Sequence, residues 1–523
     1  VEKVDVKKEN GSLVANPWIL AACMAAIYLL YRALIMLVTT QSGREFSGIE
    51  NYDTLYLYSY AREILESRAL FFHNVWFSLD SEPHLFSPLA LLLSILMATF
   101  ANSIVLSDLF FGLASIFFGC YFLAATFPVL KLRQWLAVFG AGSFVFIVSS
   151  FVHTDGTEPS SMFWGLTFVT NLNSTPEIFF HGIFFCVLFL LYQNKLVWGG
   201  ILAGALVWVH PFNGLMAIAM LTAFLLLNWR TKGTSELRPT VIALTICGLL
   251  AATYSFYIDV YLPEVSLDAR FMRQAYDNFD PYIAPWEYTL TLLPPLLLTF
   301  IFVRRGFNFK MFVVQNTLLS ACLIASAIAL LIGLSPVFGL DLVQPAHWTR
   351  VYPHLFLWIL FFSVSDVPTS MTRWIAKVII LLCLADSAIY LKQYFEIQRN
   401  SRIASLPKRV VQVLHRLNSE PQGLLLEIKP CQLRYPSRPL DFEYLTTAFT
   451  HHNVLAGHLY FSPLHDEVVR DGKSCSPGIG RLISKYRVKY LVGECTATKE
   501  VGVPLGFTYA WNQGPICLLK KEN

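Results

Sequence analysis

Long apolar runs, almost free of charge, alternate with short polar connections over the first three quarters of the chain. The runs at 18–39, 108–130, 134–152, 176–192, 196–209, 212–228, 239–261, 286–303, 311–333, 351–366 and 374–393 read as membrane-spanning helices. A bilayer core takes roughly 20 consecutive apolar residues, and 196–209 is the shortest of the set. After Phe395 the pattern changes. A helix at 406–418, a strand at 423–428, a helix at 439–448, and a helix at 477–487 running into a strand at 488–493 are followed by two short late strands, a mixed α/β order.

One further apolar run, SPLALLLSILMATFANSIVL at 87–106, would reverse every later connection if it crossed. It is read as a re-entrant or interfacial segment, because the charges then agree. Lys3, Lys7 and Lys8 precede the first span, and Lys131 with Arg133, Lys195, Arg230 with Lys232, Arg304 with Arg305 and Lys310, and Arg373 with Lys377 all fall on one side. Basic connections mark the cytoplasmic face. The expected architecture is an α-helical polytopic membrane protein of about eleven transmembrane helices. Residues 1–394 form the membrane region, with outer loops at 40–107, 153–175, 262–285 and 334–350, and 395–523 form an extracytoplasmic α/β domain. The expected location is the plasma (inner) membrane, N-terminus inside.

Composition strengthens this division. The chain is 55% hydrophobic and 14% charged, against about 45–50% and about 25% in soluble proteins. From Phe395 onward 28 of 129 residues are charged, and the first 394 residues hold the other 46. The polar opening from Val1 to Pro17 and the long first run do not read as a cleavable leader. A net charge of +4, scattered along the chain, excludes a nucleic-acid partner. Cys23, Cys120, Cys186, Cys247, Cys322 and Cys383 read as small apolar fillers of the spans. Cys431, Cys475, Cys495 and Cys517 permit disulfides in the outer domain, with the pairing open, and their spacing matches no zinc site.

Most acidic residues of the membrane region fall in the outer loops, which directs attention there. In GIENYDTLYLYSYAREILES, Asp53 heads an amphipathic helical pattern with Tyr56 and Tyr60 on one side. Its carboxylate suits either a helix cap or a general base toward a hydroxyl at the membrane surface. FVHTDGTEPSS carries Asp155 and Glu158 around a glycine turn, a pair suited to a divalent cation or sugar hydroxyls, or simply to the turn. In VHPFNG, His210 breaks a helix pair at the outer surface, as a hinge or as the wall of a polar cavity. QPAHWTRVYPHLF sets His347 and Arg350 at the outer interface, where they either clamp a phosphate or anchor the chain at the bilayer boundary. Arg32 and Asp386 lie within spans and call for partners inside the bundle.

The order of these pieces resembles the GT-C superfamily of integral membrane glycosyltransferases, which use polyprenyl-phosphate-linked sugars. The matching parts are the acidic first outer loop (Asp53), the proline-led stretch EPHLFSPLALLLSILMATF, similar to the family's H-P-P-L segment, and the helix pair around Lys131. The second acidic loop (Asp155, Glu158), Arg350 before a late span, and an outer domain containing SKYRVKYLVGE complete the likeness. It covers most of the chain but is architectural. Asp53-Thr54 stands where the family has Asp-Glu, and no Trp-Trp-Asp occurs, which argues against an oligosaccharyltransferase.

The resemblance implies sugar transfer from a polyprenyl phosphate to an acceptor hydroxyl, with inversion. Asp53 would be the base, and Tyr56, Asp155, Glu158, His210, His347 and Arg350 would bind donor and acceptor. A divalent cation, if used, would sit on Asp155 and Glu158. Two other classes stand beside this one: a non-catalytic subunit of a membrane assembly that keeps the shell as a scaffold, and a transporter or flippase of lipid-linked substrates. A transporter needs inverted repeats or paired broken helices, and the sequence shows one broken pair, at His210.

Overall fold

The structure, a computed structural model, describes residues 16–40, 44–50, 52–76, 83, 85–140, 174–233, 237–261, 285–303, 307–333, 352–365, 370–399, 403–428, 441–455, 467–468, 471, 475–512 and 515–522. Helix α1 (Pro17–Thr39) opens with Pro17 at its first position and Asn16 as its cap, whose side chain accepts from the Trp18 amide at 2.9 Å. Leu20, Met24, Tyr28, Tyr31 and Ile35 are buried in the bundle, while Leu30 and Leu37 are exposed as lipid-facing residues of a span should be. Strand β1 (Arg44–Phe46) and helix α2 (Tyr52–Ser67) follow.

Helix α3 (Pro88–Thr99), capped by Ser87, has 12 residues, so it reaches about 18 Å where a bilayer core is about 30 Å thick. The chain turns at Ala101 and Asn102, both with positive φ, and enters α4 (Ile104–Thr126). The 87–106 segment therefore divides between a short helix and the start of a span that the sequence placed at 108–130. Pro128 accounts for the earlier end of α4, since it disfavours helix at Phe127. Helix α5 (Leu132–Gly140) begins the 134–152 run, and the remainder of that run lies outside the described residues.

The rest of the bundle is α6 (Thr175–Tyr192), α7 (Leu196–Val209), α8 (Pro211–Lys232), α9 (Leu237–Tyr261), α10 (Pro285–Phe302), α11 (Phe309–Gln315), α12 (Thr317–Gly333), α13 (Tyr352–Val364) and α14 (Ser370–Arg399). The run 311–333 was expected as one span but is broken by a 108° bend between α11 and α12. The polar Gln315-Asn316-Thr317 interrupts it; the Asn316 amide closes α11 on the Phe312 carbonyl, and its own carbonyl accepts from Ser320 to start α12. Six described helices are long and apolar enough to cross a bilayer, seven if the bent pair counts as one, and four other apolar helices are shorter. Among the described residues, length alone thus reaches seven, not eleven.

Contacts between neighbours fix the directions of α1, α4 and α6 to α9. Trp18 meets Phe117 and Tyr121, and Arg32 meets Asp108, so α4 runs back against α1. Thr175 bonds Asp108, and a Cβ on Gly119 would lie 3.2 Å from the Gly182 Cα, so α6 runs parallel to α4 and close to it. Helix α7 returns, α8 folds back on it at Gly214 against Val207, and α9 runs parallel to α7. Lys131, Lys195 and Arg230 consequently gather at the Pro17 end of α1, with Glu50 and His210 toward the Thr39 end.

The C-terminal domain also sits at the Thr39 end. Strand β2 (Ser405–Pro407) pairs antiparallel with β1, Arg44 against Pro407, and the Ser405 hydroxyl donates to the Thr39 carbonyl at 2.7 Å. Helix α15 (Lys408–Asn418), β3 (Leu424–Ile428), α16 (Asp441–Phe449), β4 (Asn453–Val454), α17 (Cys475–Tyr486), β5 (Tyr490–Glu494), α18 (Cys495–Val501), β6 (Phe507–Trp511) and β7 (Ile516–Lys521) complete the chain. The sheet order is β4-β3-β5-β7-β6, with β3 parallel to both neighbours and β5 antiparallel to β7. Leu424, Leu426 and Leu491 pack with Ile483 on one face, and Leu425, Val492 and Leu518 with the other core. Burial on both faces is why these strands are apolar without alternation. A disulfide joins Cys495 to Cys517, settling one pairing the sequence left open. Domain and membrane region meet directly: Ser59 bonds Thr447 at 2.8 Å, Arg62 donates to the Ala448 carbonyl at 2.9 Å, and Val454 donates to Val75 at 2.9 Å.

Candidate functional site

At the Thr39 end of the bundle a buried guanidinium holds together segments far apart in the chain. Arg32 donates through Nη1 to Glu50, and through Nη2 to the Gly48 carbonyl at 2.7 Å and to Asp108 at 2.9 Å. Glu50 also accepts from the Tyr31 hydroxyl at 2.5 Å and from Tyr394 of α14 at 2.9 Å. Asp108 takes the Thr175 hydroxyl of α6 at 2.5 Å and the Tyr58 hydroxyl of α2 at 3.4 Å. All three charged groups are buried. Burial pushes the Glu50 carboxyl up from the ordinary carboxylate range, and Arg32 beside it pulls the other way. Gly112 is required here, because any side chain on it would meet the Tyr28 ring and hydroxyl. Arg32 thus has the partners its place in a span demanded. Glu50, which the sequence offered only as one more acid of the first outer loop, is drawn inward as one of them. Asp386 is likewise buried.

Helix α2 starts two residues beyond Glu50, and Asp53 is its second residue, so its backbone belongs to the first turn at the Thr39 end of the bundle. The Asp53 side chain itself lies outside the described residues. Tyr56 is half-buried and meets Tyr60 edge-on at 5.9 Å and Trp76 at 6.3 Å, so the shared side expected from the spacing exists. A second aromatic group joins Phe86 to Trp208 at 5.7 Å and Trp208 to Tyr257 at 5.4 Å, and the Tyr257 hydroxyl accepts from the Phe86 amide.

His210 ends α7 and caps α8: its Nδ1 accepts from the Asn213 amide at 3.3 Å, and its ring lies 4.5 Å from that of Phe180. That cap makes it a hinge between the two helices. Close by, the His181 Nδ1 is within hydrogen-bond distance of the Tyr352 hydroxyl (2.9 Å), and its Nε2 is 3.9 Å from Glu177, all three residues buried. Sequence reasoning passed over this trio and over Asp108. The four-residue spacing of Glu177 and His181 inside an apolar run was a legible signal, because ionisable groups within spans are costly; the approach of Tyr352 was not legible.

Asp155, Glu158, His347 and Arg350 lie outside the described residues, so Asp53, Tyr56 and His210 are the expected site residues that can be placed. Tyr56 and His210 belong to separate patches of the same end. Among the described residues no three His, Cys, Asp or Glu side chains converge as a metal site.

The fold, a helical bundle with acidic and aromatic groups collected at one end and an α/β domain fixed to the segment after α1, is similar to that of membrane glycosyltransferases of known structure. A variant of the arabinofuranosyltransferase AftD from Mycobacteria superposes with a TM-score of 0.54 at 13% identity, over 98% of this chain and 42% of that one. ArnT from Cupriavidus metallidurans bound to undecaprenyl phosphate gives 0.47 at 12% identity, over 97% of this chain and 98% of that one. The oligosaccharyltransferase AglB from Archaeoglobus fulgidus, in complex with an inhibitory peptide and a dolichol-phosphate, gives 0.47 at 13%, over 96% and 74%. No protein-family model and no curated protein matches the sequence. At these identities the likeness concerns the fold.

Proposed function

We propose that the protein transfers a sugar from a polyprenyl-phosphate donor to an acceptor hydroxyl at the outer face of the plasma (inner) membrane. The observation that supports this reading is the start of α2: its first turn, to which Asp53 belongs, follows a buried charge cluster at the Thr39 end and leads into Tyr56 and Tyr60, packed with Trp76. Asp53 takes the proton of the acceptor hydroxyl as its oxygen attacks the anomeric carbon. The bond from that carbon to the phosphate oxygen breaks on the opposite side, and the phosphate leaves with the electron pair. In-line attack inverts the configuration. A lipid phosphate is already a good leaving group, so Arg350 and His347 need only offset its charge. Asp155 and Glu158 supply hard oxygen ligands of the kind a divalent cation takes. The basic connections at the Pro17 end make that end cytoplasmic. The disulfide between Cys495 and Cys517 supports an oxidising compartment for the domain.

Two other readings are weaker. A transporter's broken helices meet at the bilayer midplane. Here the break at His210 lies toward the Thr39 end and caps a helix hairpin, and the other break among the described residues, the 108° bend between α11 and α12, has a different form from it. The scaffold reading keeps one point in its favour, Thr54 in place of the family's second acid.

The test is sugar transfer by Asp53→Asn in nanodiscs. Asparagine retains a side chain favourable at a helix start but cannot accept the proton, so the rate should fall by about 10²- to 10⁴-fold with folding intact. Activity near that of the parent protein would refute the base assignment. A parent protein inactive with every donor would favour the scaffold.

A further inference from the structure

Stability alone does not account for the Arg32 cluster. It sets two carboxylates against one guanidinium in a buried site, and the Tyr28 hydroxyl and Arg32 Nε have no hydrogen-bond partner among the described residues. Networks of this kind are often no more stable than apolar replacements, and each unsatisfied buried group adds a penalty. What the cluster does provide is geometry. Arg32 fixes the Gly48 carbonyl and the Glu50 side chain, Gln398 of α14 donates to the Glu50 carbonyl at 3.4 Å, and α2 begins two residues later. From the other side Tyr58, within α2, reaches Asp108, the second carboxylate on the same guanidinium. The first turn of α2 is therefore gripped before and after Asp53, with α1, α4, α6 and α14 all referred to one planar group.

We infer that Arg32, Glu50 and Asp108 form a positioning device that sets the height and direction of the α2 N-terminus, and through it the reach of Asp53 to the acceptor hydroxyl. This inference rests on the proposed role of Asp53. It makes Arg32 a positioning residue that acts on turnover and leaves donor recognition, proposed above for His347 and Arg350, unchanged.

Arg32→Lys separates positioning from general stability. Lysine keeps a positive charge between the carboxylates, so neither is left unpaired, but a point charge cannot bridge Glu50, Asp108 and the Gly48 carbonyl as a planar fork does. Three measurements are made on the full chain in nanodiscs. Hydrogen exchange in the peptide covering 48–60 should quicken about tenfold or more, with the rest of the chain unchanged. The turnover number should fall about 10- to 100-fold, the scale set by a misplaced catalytic group, while binding of undecaprenyl phosphate shifts by less than about twofold. In an Asp53→Asn background Arg32→Lys should lower the residual rate no further, because the two act through one group.

Unaltered exchange in 48–60 would overturn the inference, as would loosening across the whole chain or an equal further loss in the Asp53→Asn background. Full activity of Asp53→Asn would instead sink the base assignment, and the exchange result alone would then decide whether the cluster holds α2.

Discussion

Replacing Gly200 by alanine should force apart two helices that meet backbone to backbone. A Cβ at Gly200 of α7 would lie 2.5 Å from the Ala243 carbonyl oxygen and 3.0 Å from its Cα, where ordinary contact begins at 3.4 Å. One turn on, Gly204 faces the Cys247 carbonyl oxygen at 2.9 Å. The obstacle is backbone on a neighbouring helix, so no rotamer change relieves it, and α7 has to withdraw from α9 by nearly an ångström. In lipid no hydrophobic effect compensates, because packing itself drives helix association. Overpacking of this kind costs about 1–3 kcal/mol. Gly248 of α9 has nothing within 4 Å of its Cβ position, so Gly248→Ala should stabilise by up to about 1 kcal/mol through helix propensity alone. Both variants, purified in one detergent, are compared with the parent in thermal unfolding followed by tryptophan fluorescence and by retention of the monodisperse peak. The expected order of midpoints is Gly248→Ala, parent, Gly200→Ala. A Gly200→Ala protein as stable as Gly248→Ala would refute the close approach of α7 and α9, and with it the position of Tyr257 beside Phe86.

Other perturbations test other parts of the molecule. A tag inserted at Lys131 or Lys232 should be reached only from the cytoplasm and one after Asn523 only from outside; outside labelling at Lys131 would reverse the orientation drawn from the basic connections. Arg350→Lys should already weaken binding of undecaprenyl phosphate, since a fork recognises phosphate better than a point charge, and unchanged binding by Arg350→Ala would make the residue an interfacial anchor. Burial pushes His452 down from 6.5 to about 4. The folded state therefore resists a proton that the unfolded chain accepts, so His452 costs nothing above about pH 6.5 and destabilises the fold increasingly as pH falls toward about 4. His452→Gln should flatten that part of the stability–pH curve, and a curve as steep as the parent's would exclude His452 as its source.

The class of protein was legible because it follows from local quantities. An apolar run must meet lipid wherever it lies, and basic connections have one preferred side, so runs and charges sufficed for a polytopic bundle. The more charged, mixed pattern of the last quarter of the chain sufficed to expect an α/β fold there, and β3 and β5 fall within a residue or two of their expected limits because each is an apolar run bounded by polar breakers. Asp53 at the head of an amphipathic helix, with Tyr56 and Tyr60 sharing a side, was legible for the same reason: helical spacing is a property of adjacent residues.

What stayed hidden depended on residues distant in the chain. An apolar run of bilayer length does not declare that it bends, and 311–333 turns through 108° at a polar triplet that hydropathy averaging conceals. Arg32 announced by its burial cost that it needed a partner, but the sequence holds many carboxylates and no local rule selects among them. The choice of Glu50 and Asp108 is made only when α4 packs antiparallel on α1 and the segment after β1 is drawn down between them. His181 and Tyr352, 171 residues apart, meet for the same reason. Hydrophobicity is additive along a chain and can be read residue by residue. The partner of a buried charge is fixed by which backbones pass within about 3 Å of it, and that is decided by the packing of the whole bundle.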